Sequence, residues 1–204
     1  MNNDRLLLYN HCLQIPYTNN GYKILLENNK NYDNNIIKII SAYTFKFAEL
    51  ITKNFIANNK ILLENHFNIK INNTNIDYNF YKNGDNGDIF INEQLYIAVK
   101  SCFNCFLLNN IEYNYFGLLF SILEKLQHQF KNNKEQICSI VIHKYDKQNY
   151  IDDLVKYVNN EQQLYNFTLN TIYNNYIIKF FQIKDIQYIK DNIEQFLTKN
   201  KYFI

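Results

Sequence analysis

Turn punctuation is what this chain most lacks. Its 204 residues include 4 Gly and 1 Pro. A sandwich or barrel of many short strands needs more of both at its reversals. Long helices joined by Asn-rich connections need fewer. The scarcity points to an all-α domain with asparagine at its breaks. Asn, Ile, Lys, Tyr and Phe dominate and alanine is scarce. These five have AT-rich codons, so the bias reflects an AT-rich virus, protist or bacterium as much as a fold. It also skews propensity both ways. Tyr, Phe and Ile favour strands on paper, and missing Ala weakens helices.

Length and polarity set further bounds. A chain of 204 residues fits one domain, 1–204, with one sizeable core. Hydrophobic residues at 47% and charged residues at 20% indicate a globular chain rather than a disordered one. A net charge of +2 with no strong basic run gives no electrostatic case for nucleic acid. No segment approaches the roughly 18 to 20 apolar residues of a membrane span. The start, MNNDRLLLYN, does not read as a signal peptide. Cys12, Cys102, Cys105 and Cys138 are therefore expected to be reduced, in an intracellular setting.

Apolar spacing divides the chain into helices. Asp4 to Ile15 reads as a short amphipathic helix that Pro16 ends or bends. Asp33 to Ile56 follows a 3.6-residue period through Ile36, Ile40, Tyr43, Phe47, Leu50, Ile51 and Phe55. Residues 58–88 are the least helical. There Asn83-Gly84 and Asn86-Gly87 suggest a long loop or small hairpin, IDYNFY against DIFI. Helical spacing resumes from Asn92 to Leu108. The stretch NNIEYNYFGLLFSILEKL, Asn109 to Leu126, then opens polar and becomes apolar around most of its circumference, as the buried helix of a bundle does. Glu135 to Val158 reads as one long or bent helix, and two or three shorter helices run from Gln162 to Phe203.

Motifs of chemistry are sparse. Cys102-x-x-Cys105 is half of a zinc or redox motif with no second half, so apolar packing is the first reading. His11, His66, His128 and His143 pair with no carboxylate at a telling spacing. Asp85-Asn86-Gly87-Asp88 lacks the ligand alternation of a calcium loop and reads as a turn. Tyr96-x-x-x-Lys100 places a phenol and an amine one helical turn apart. With a histidine such as His11 they could form a metal-free acid–base set acting on a nucleotide. Tyr78-x-x-x-Lys82 repeats the spacing, which is cheap in a chain this rich in both residues. No metal or cofactor is implied.

Helix order and two short patterns carry a resemblance. Phe106-Leu107-Leu108-Asn109-Asn110-Ile111-Glu112-Tyr113-Asn114-Tyr115, followed by Phe116 to Ile122, resembles the signature opening the central helix of the B-cell-lymphoma-two (Bcl) family of apoptosis regulators. Tyr157 to Leu164, with Tyr165 and Phe167, resembles that family's second signature, and Asn20-Gly21-Tyr22 the end of its first helix. Asn114-Tyr115 stand where the family has Gly-Arg, Gln162-Gln163 where it has paired glycines, and Tyr43 where Asp is usual.

The resemblance implies a helical bundle around a buried central helix pair, and no enzyme. A hydrophobic groove in it would sequester the amphipathic helix of a host pro-apoptotic partner. Phe47 and Leu50 would form one wall. Cys102, Cys105, Phe106, Glu112, Tyr113, Asn114, Tyr115, Leu118 and Ile122 would form the other, with Tyr173 at the closing edge. A homodimer is compatible with it. A Bcl-like inhibitor of host innate immune signalling without a ligand groove is the other expectation of this class.

Overall fold

The computed structural model describes residues 34–76, 88–92, 95–103, 111–132, 136–145, 147–172, 176–199 and 202–204. It overturns the all-α bundle. A five-stranded mixed sheet runs through the molecule with helices on both faces.

The chain opens with α1 (Asn34–Asn58) and α2 (Lys60–Phe67). Then come β1 (Asn75–Ile76), β2 (Ile89–Asn92) and β3 (Leu95–Phe103). Helix α3 (Ile111–Gln129) leads to β4 (Ile137–His143). After α4 (Lys147–Tyr157) and α5 (Glu161–Ile172), β5 (Tyr176–Gln182) completes the sheet. A 3-10 turn (Ile183–Asp185), α6 (Ile186–Asp191) and α7 (Ile193–Thr198) follow. Spatial order equals sequence order, β1-β2-β3-β4-β5. The pairings are antiparallel except β3 with β4, which are parallel and joined through α3. Parallel neighbours need such a crossover, and a helix on the sheet face provides it.

Three segments expected as helix are strands, and burial explains why. ICSIVIH, β4, is buried at every position. A strand covered on both faces shows an unbroken apolar run, which periodicity cannot tell from a buried helix. Within β3, Ile97 and Val99 face one core while Ala98 and Cys102 face the other. In β5 the alternation is Ile178 and Phe180 against Phe181. The long helix expected over 135–158 is thus a strand, a break and α4.

Other expectations hold. Helix α1 matches its 3.6-residue period, burying Ile39, Tyr43, Phe47, Leu50, Ile51 and Phe55. Ile76 pairs with Ile89, joining the two stretches read as a hairpin. That hairpin forms one margin of the main sheet. The Asp4 to Ile15 helix lies outside the described residues.

Each face of the sheet has its own core. Helices α1, α2, α4 and α5 cover one face, with Tyr43, Phe47, Tyr150, Leu164 and Phe180 among the residues packed there. Helices α3, α6 and α7 cover the other through Leu119, Leu123, Leu126, Ile186, Ile189 and Phe196. Helix α3 is therefore one-sided rather than central: Phe120, Glu124 and Lys125 are exposed. Asparagine supplies a reversal that glycine often makes. Asn68 ends α2 in the left-handed region, φ 53, its N–H donating to the Glu64 carbonyl.

Candidate functional site

The hairpin of β2 and β3 positions the site. The described pairing runs from Asn92↔Leu95 back to Ile89↔Ile97. Beyond that pair one backbone bond and one side-chain bond follow among the described residues. The Asp88 N–H donates to the Ile97 carbonyl at 2.9 Å. The Val99 N–H then donates to Oδ2 of Asp88 at 2.7 Å. A backbone amide in a sheet needs an acceptor, and here a carboxylate serves. The bond fixes Asp88 beside Lys100, the next residue on β3.

A second carboxyl approaches from α1. Glu49 is 5% exposed, and Lys46 one turn earlier donates to its Oε2 at 2.7 Å in a buried ion pair. Burial holds the Glu49 carboxyl well above the usual carboxylate range. The Lys46 charge opposes the rise, the Asp88 charge adds to it, and the Lys100 charge opposes it. Asp88 and Lys100 are thus within electrostatic reach of Glu49. Both also act on Cys138 in the opposite core, so they straddle the sheet at this point. Burial pushes that thiol far up, so Cys138 is an inert thiol at neutral pH.

The surroundings are rigid. One turn after Glu49, Thr52 gives its proton to the Ala48 carbonyl at 2.9 Å. The Ser139 hydroxyl, 3.2 Å from Thr52 Oγ1, must then be the donor to it. This buried pair ties α1 to β4, whose Ser139 lies opposite Val99. The site is two carboxyls and two amines on three elements. Each carboxyl has one oxygen held, Asp88 by the Val99 N–H and Glu49 by the Lys46 amine.

Of the residues expected to form a groove, the four whose side chains are described do not come together. Phe47 and Leu50 are buried in the α1 core. Cys102 is buried, and Ile122 packs, in the α3 core on the other face. The sheet lies between the two intended walls. Cys105, Phe106 and Tyr173 lie outside the described residues, as do the side chains of Glu112, Tyr113, Asn114, Tyr115 and Leu118, whose backbone belongs to α3.

The Tyr96 and Lys100 set is also re-placed. On a strand four residues span about 13 Å, so the phenol and amine share a face but not a helical turn. Tyr96 packs on Phe90, with ring centroids 6.1 Å apart. His143 pairs with Phe103, seven residues and about 23 Å along the strand from Tyr96.

Among the described residues no group of three or more His, Cys, Asp or Glu could hold a metal ion. No described helix is long and apolar enough to cross a membrane. No protein-family model matches the chain, and neither a curated protein nor a solved structure matches it.

Lys100 was singled out in the sequence for a different set. Asp88 was read as part of a turn, and Glu49 was missed. The usable signal was an acid opening one hairpin arm, Asp-Ile-Phe-Ile, and a lysine in the other, Ile-Ala-Val-Lys.

Proposed function

We propose that the chain is a divalent-metal-assisted phosphodiesterase, with Asp88, Glu49 and Lys100 as its working groups. The observation that carries this is the Val99 N–H bond to Asp88. It fixes a carboxylate at the entry of β2 against β3, within electrostatic reach of a buried second carboxyl on which Lys100 also acts. Magnesium is commonly held through one or two carboxylates, several waters and substrate phosphate oxygens. Two carboxyls therefore suffice. The effect of the Asp88 charge on Glu49 fits such an ion, because a cation would relieve that repulsion.

The metal, when bound, supplies a water of lowered pKa and neutralises phosphate charge. The chain's own groups do the rest. Asp88 and Glu49 would hold the ion, each oriented through its fixed oxygen. The Lys100 ammonium offsets charge building on the phosphoryl oxygens. Water oxygen forms the new bond to phosphorus, the bond to the leaving sugar oxygen breaks, and the water's protons pass to that oxygen and to solvent. Catalysis of this kind is positioning and electrostatics, so a net charge of +2 is no obstacle.

The test is hydrolysis of bis-p-nitrophenyl phosphate and of labelled DNA and RNA strands, with magnesium or manganese and then with chelator. Metal-dependent cleavage lost in Asp88→Asn and Lys100→Met, both folded, supports the reading. No metal binding by calorimetry and no cleavage of any of the three substrates overturns it.

A further inference from the structure

We propose that the recess between the end of α3 and the turn after β5 binds the dianionic phosphate group of a small soluble ester, with Lys131 and Lys184 as its cationic contacts. Among the described residues its lining is Gln127, Lys131, Ile183 and Lys184. Its volume is about 240 Å³, more than the roughly 150 Å³ that takes a benzene. A phosphate and a small organic body fit there together.

Two segments far apart in the sequence build it. Gln127 lies in the last turn of α3. Lys131 follows one turn later, where the Phe130 N–H still donates to the Leu126 carbonyl at 3.0 Å. Ile183 and Lys184 open the 3-10 turn. The Ile183 N–H donates to the Gln136 carbonyl at 3.1 Å, and its side chain is buried with Leu126 and Phe130 in the α3 core. The recess thus has a fixed apolar floor, while both lysines are exposed. Among the described residues, neither lysine side chain nor that of Gln127 makes a hydrogen bond or ion pair. The described acids closest in sequence are engaged elsewhere. Glu124 holds Lys190 at 3.4 Å, and Asp185 accepts from the Gln182 N–H at 3.3 Å.

Charge selects the ligand. The carbonyl end of α3 carries about half a negative unit, against two ammonium charges. The surplus exceeds what a monoanion neutralises. A phosphate dianion matches it, and its oxygens accept from both lysines and the Gln127 amide at once. Two lysines and one amide account for one phosphate group, not a row of them. The site is separate from the hairpin acids. Gln182, just before the turn, pairs with Ile137, whereas Lys100 pairs with Ile140. Three residues, about 10 Å along β4, and a further strand intervene. The proposal does not rest on hydrolysis.

Calorimetry of the full chain in chelator tests it, with phenyl phosphate above the second phosphate pKa of about 6 and phenyl sulfate as its singly charged isostere. Phenyl phosphate is expected to bind about tenfold more tightly, the worth of one more charge facing two ammoniums. The double variant Lys131→Met, Lys184→Met is expected to level the two. No binding of phenyl phosphate, equal binding in the wild type, or a preference that survives the double variant overturns the proposal. Sedimentation with phosphatidic acid vesicles, while phenyl phosphate fails to bind, makes the ligand a bilayer and overturns it as well. Should the variant not fold, reductive methylation of the wild type decides. Phenyl phosphate is expected to slow modification of Lys131 and Lys184 relative to phenyl sulfate, and equal rates overturn the proposal.

Discussion

At two margins of the described sheet a strand N–H finds its acceptor differently. Along β5, backbone closes the ladder: Phe180 donates to the Tyr202 carbonyl at 2.7 Å and accepts from the Ile204 N–H at 3.0 Å. Phe203 then packs on Phe55, His66, Phe67 and Phe180. Along β3, the Asp88 side chain does the closing. A backbone closure is neutral and leaves nothing reactive behind. A carboxylate closure satisfies the same amide and brings a charge to the spot. One margin is sealed and the other is armed, by the same demand of an unpaired N–H.

The strand between these margins sets the reference and gives the largest expected effect. His143 ends β4, is 1% exposed, and burial pushes its pKa down to about 3. The unfolded chain, with an ordinary histidine, binds the proton first as pH falls. Stability is then lost between pH 6.5 and about 3, by up to roughly 5 kcal/mol, and His143→Phe removes that share of the loss. Urea unfolding across this range in both proteins measures it.

Next in size is the armed margin. Asp88→Ala is expected to lower hydrolysis by about 10² to 10³, the scale on which a single electrostatic catalytic group acts. Its stability should fall by only about 1 kcal/mol, for one unmade hydrogen bond. Asp88→Asn, whose amide oxygen still accepts from Val99, should lose activity and keep stability. If both variants hydrolyse as fast as the wild type, the closure is structural and the comparison fails.

The sealed margin should behave oppositely. Phe203→Ala is expected to cost about 2 kcal/mol in urea unfolding, through lost aromatic packing. Its hydrolysis per folded molecule should not change. The smallest effect belongs to the pair between α1 and β4. Thr52→Val strands the buried Ser139 hydroxyl and should cost about 1 kcal/mol, with little change in activity.

Legibility in the sequence followed burial. Helix α1 was readable because one face is buried and its period survives. The stripe Leu119, Leu123 and Leu126 of α3 was readable for the same reason. Strand β4 was not, since both its faces are covered and no alternation remains. The scarcity of glycine and proline misled because asparagine makes turns in this composition, as Asn68 does. The Tyr96 to Lys100 spacing misled because residues four apart share a face in a strand as well as in a helix. Lys100 could be suspected, but Glu49 could not. Its place beside Asp88 depends on α1 crossing β3, a contact between distant parts of the chain.

The order of the strands bears on how the chain acquires its shape during synthesis. Because β1 to β5 lie in space as they occur in sequence, each strand leaving the ribosome finds its neighbour already emerged. No strand has to be inserted between two others. Pairing can advance in the direction of translation, domain parts maturing amino end first. Glu49 and Asp88 belong to the portion made before β4 exists, whereas the outer margin of β5 awaits Tyr202 to Ile204. A stalled ribosome would therefore display a completed hairpin with its acids beside an open, adhesive strand.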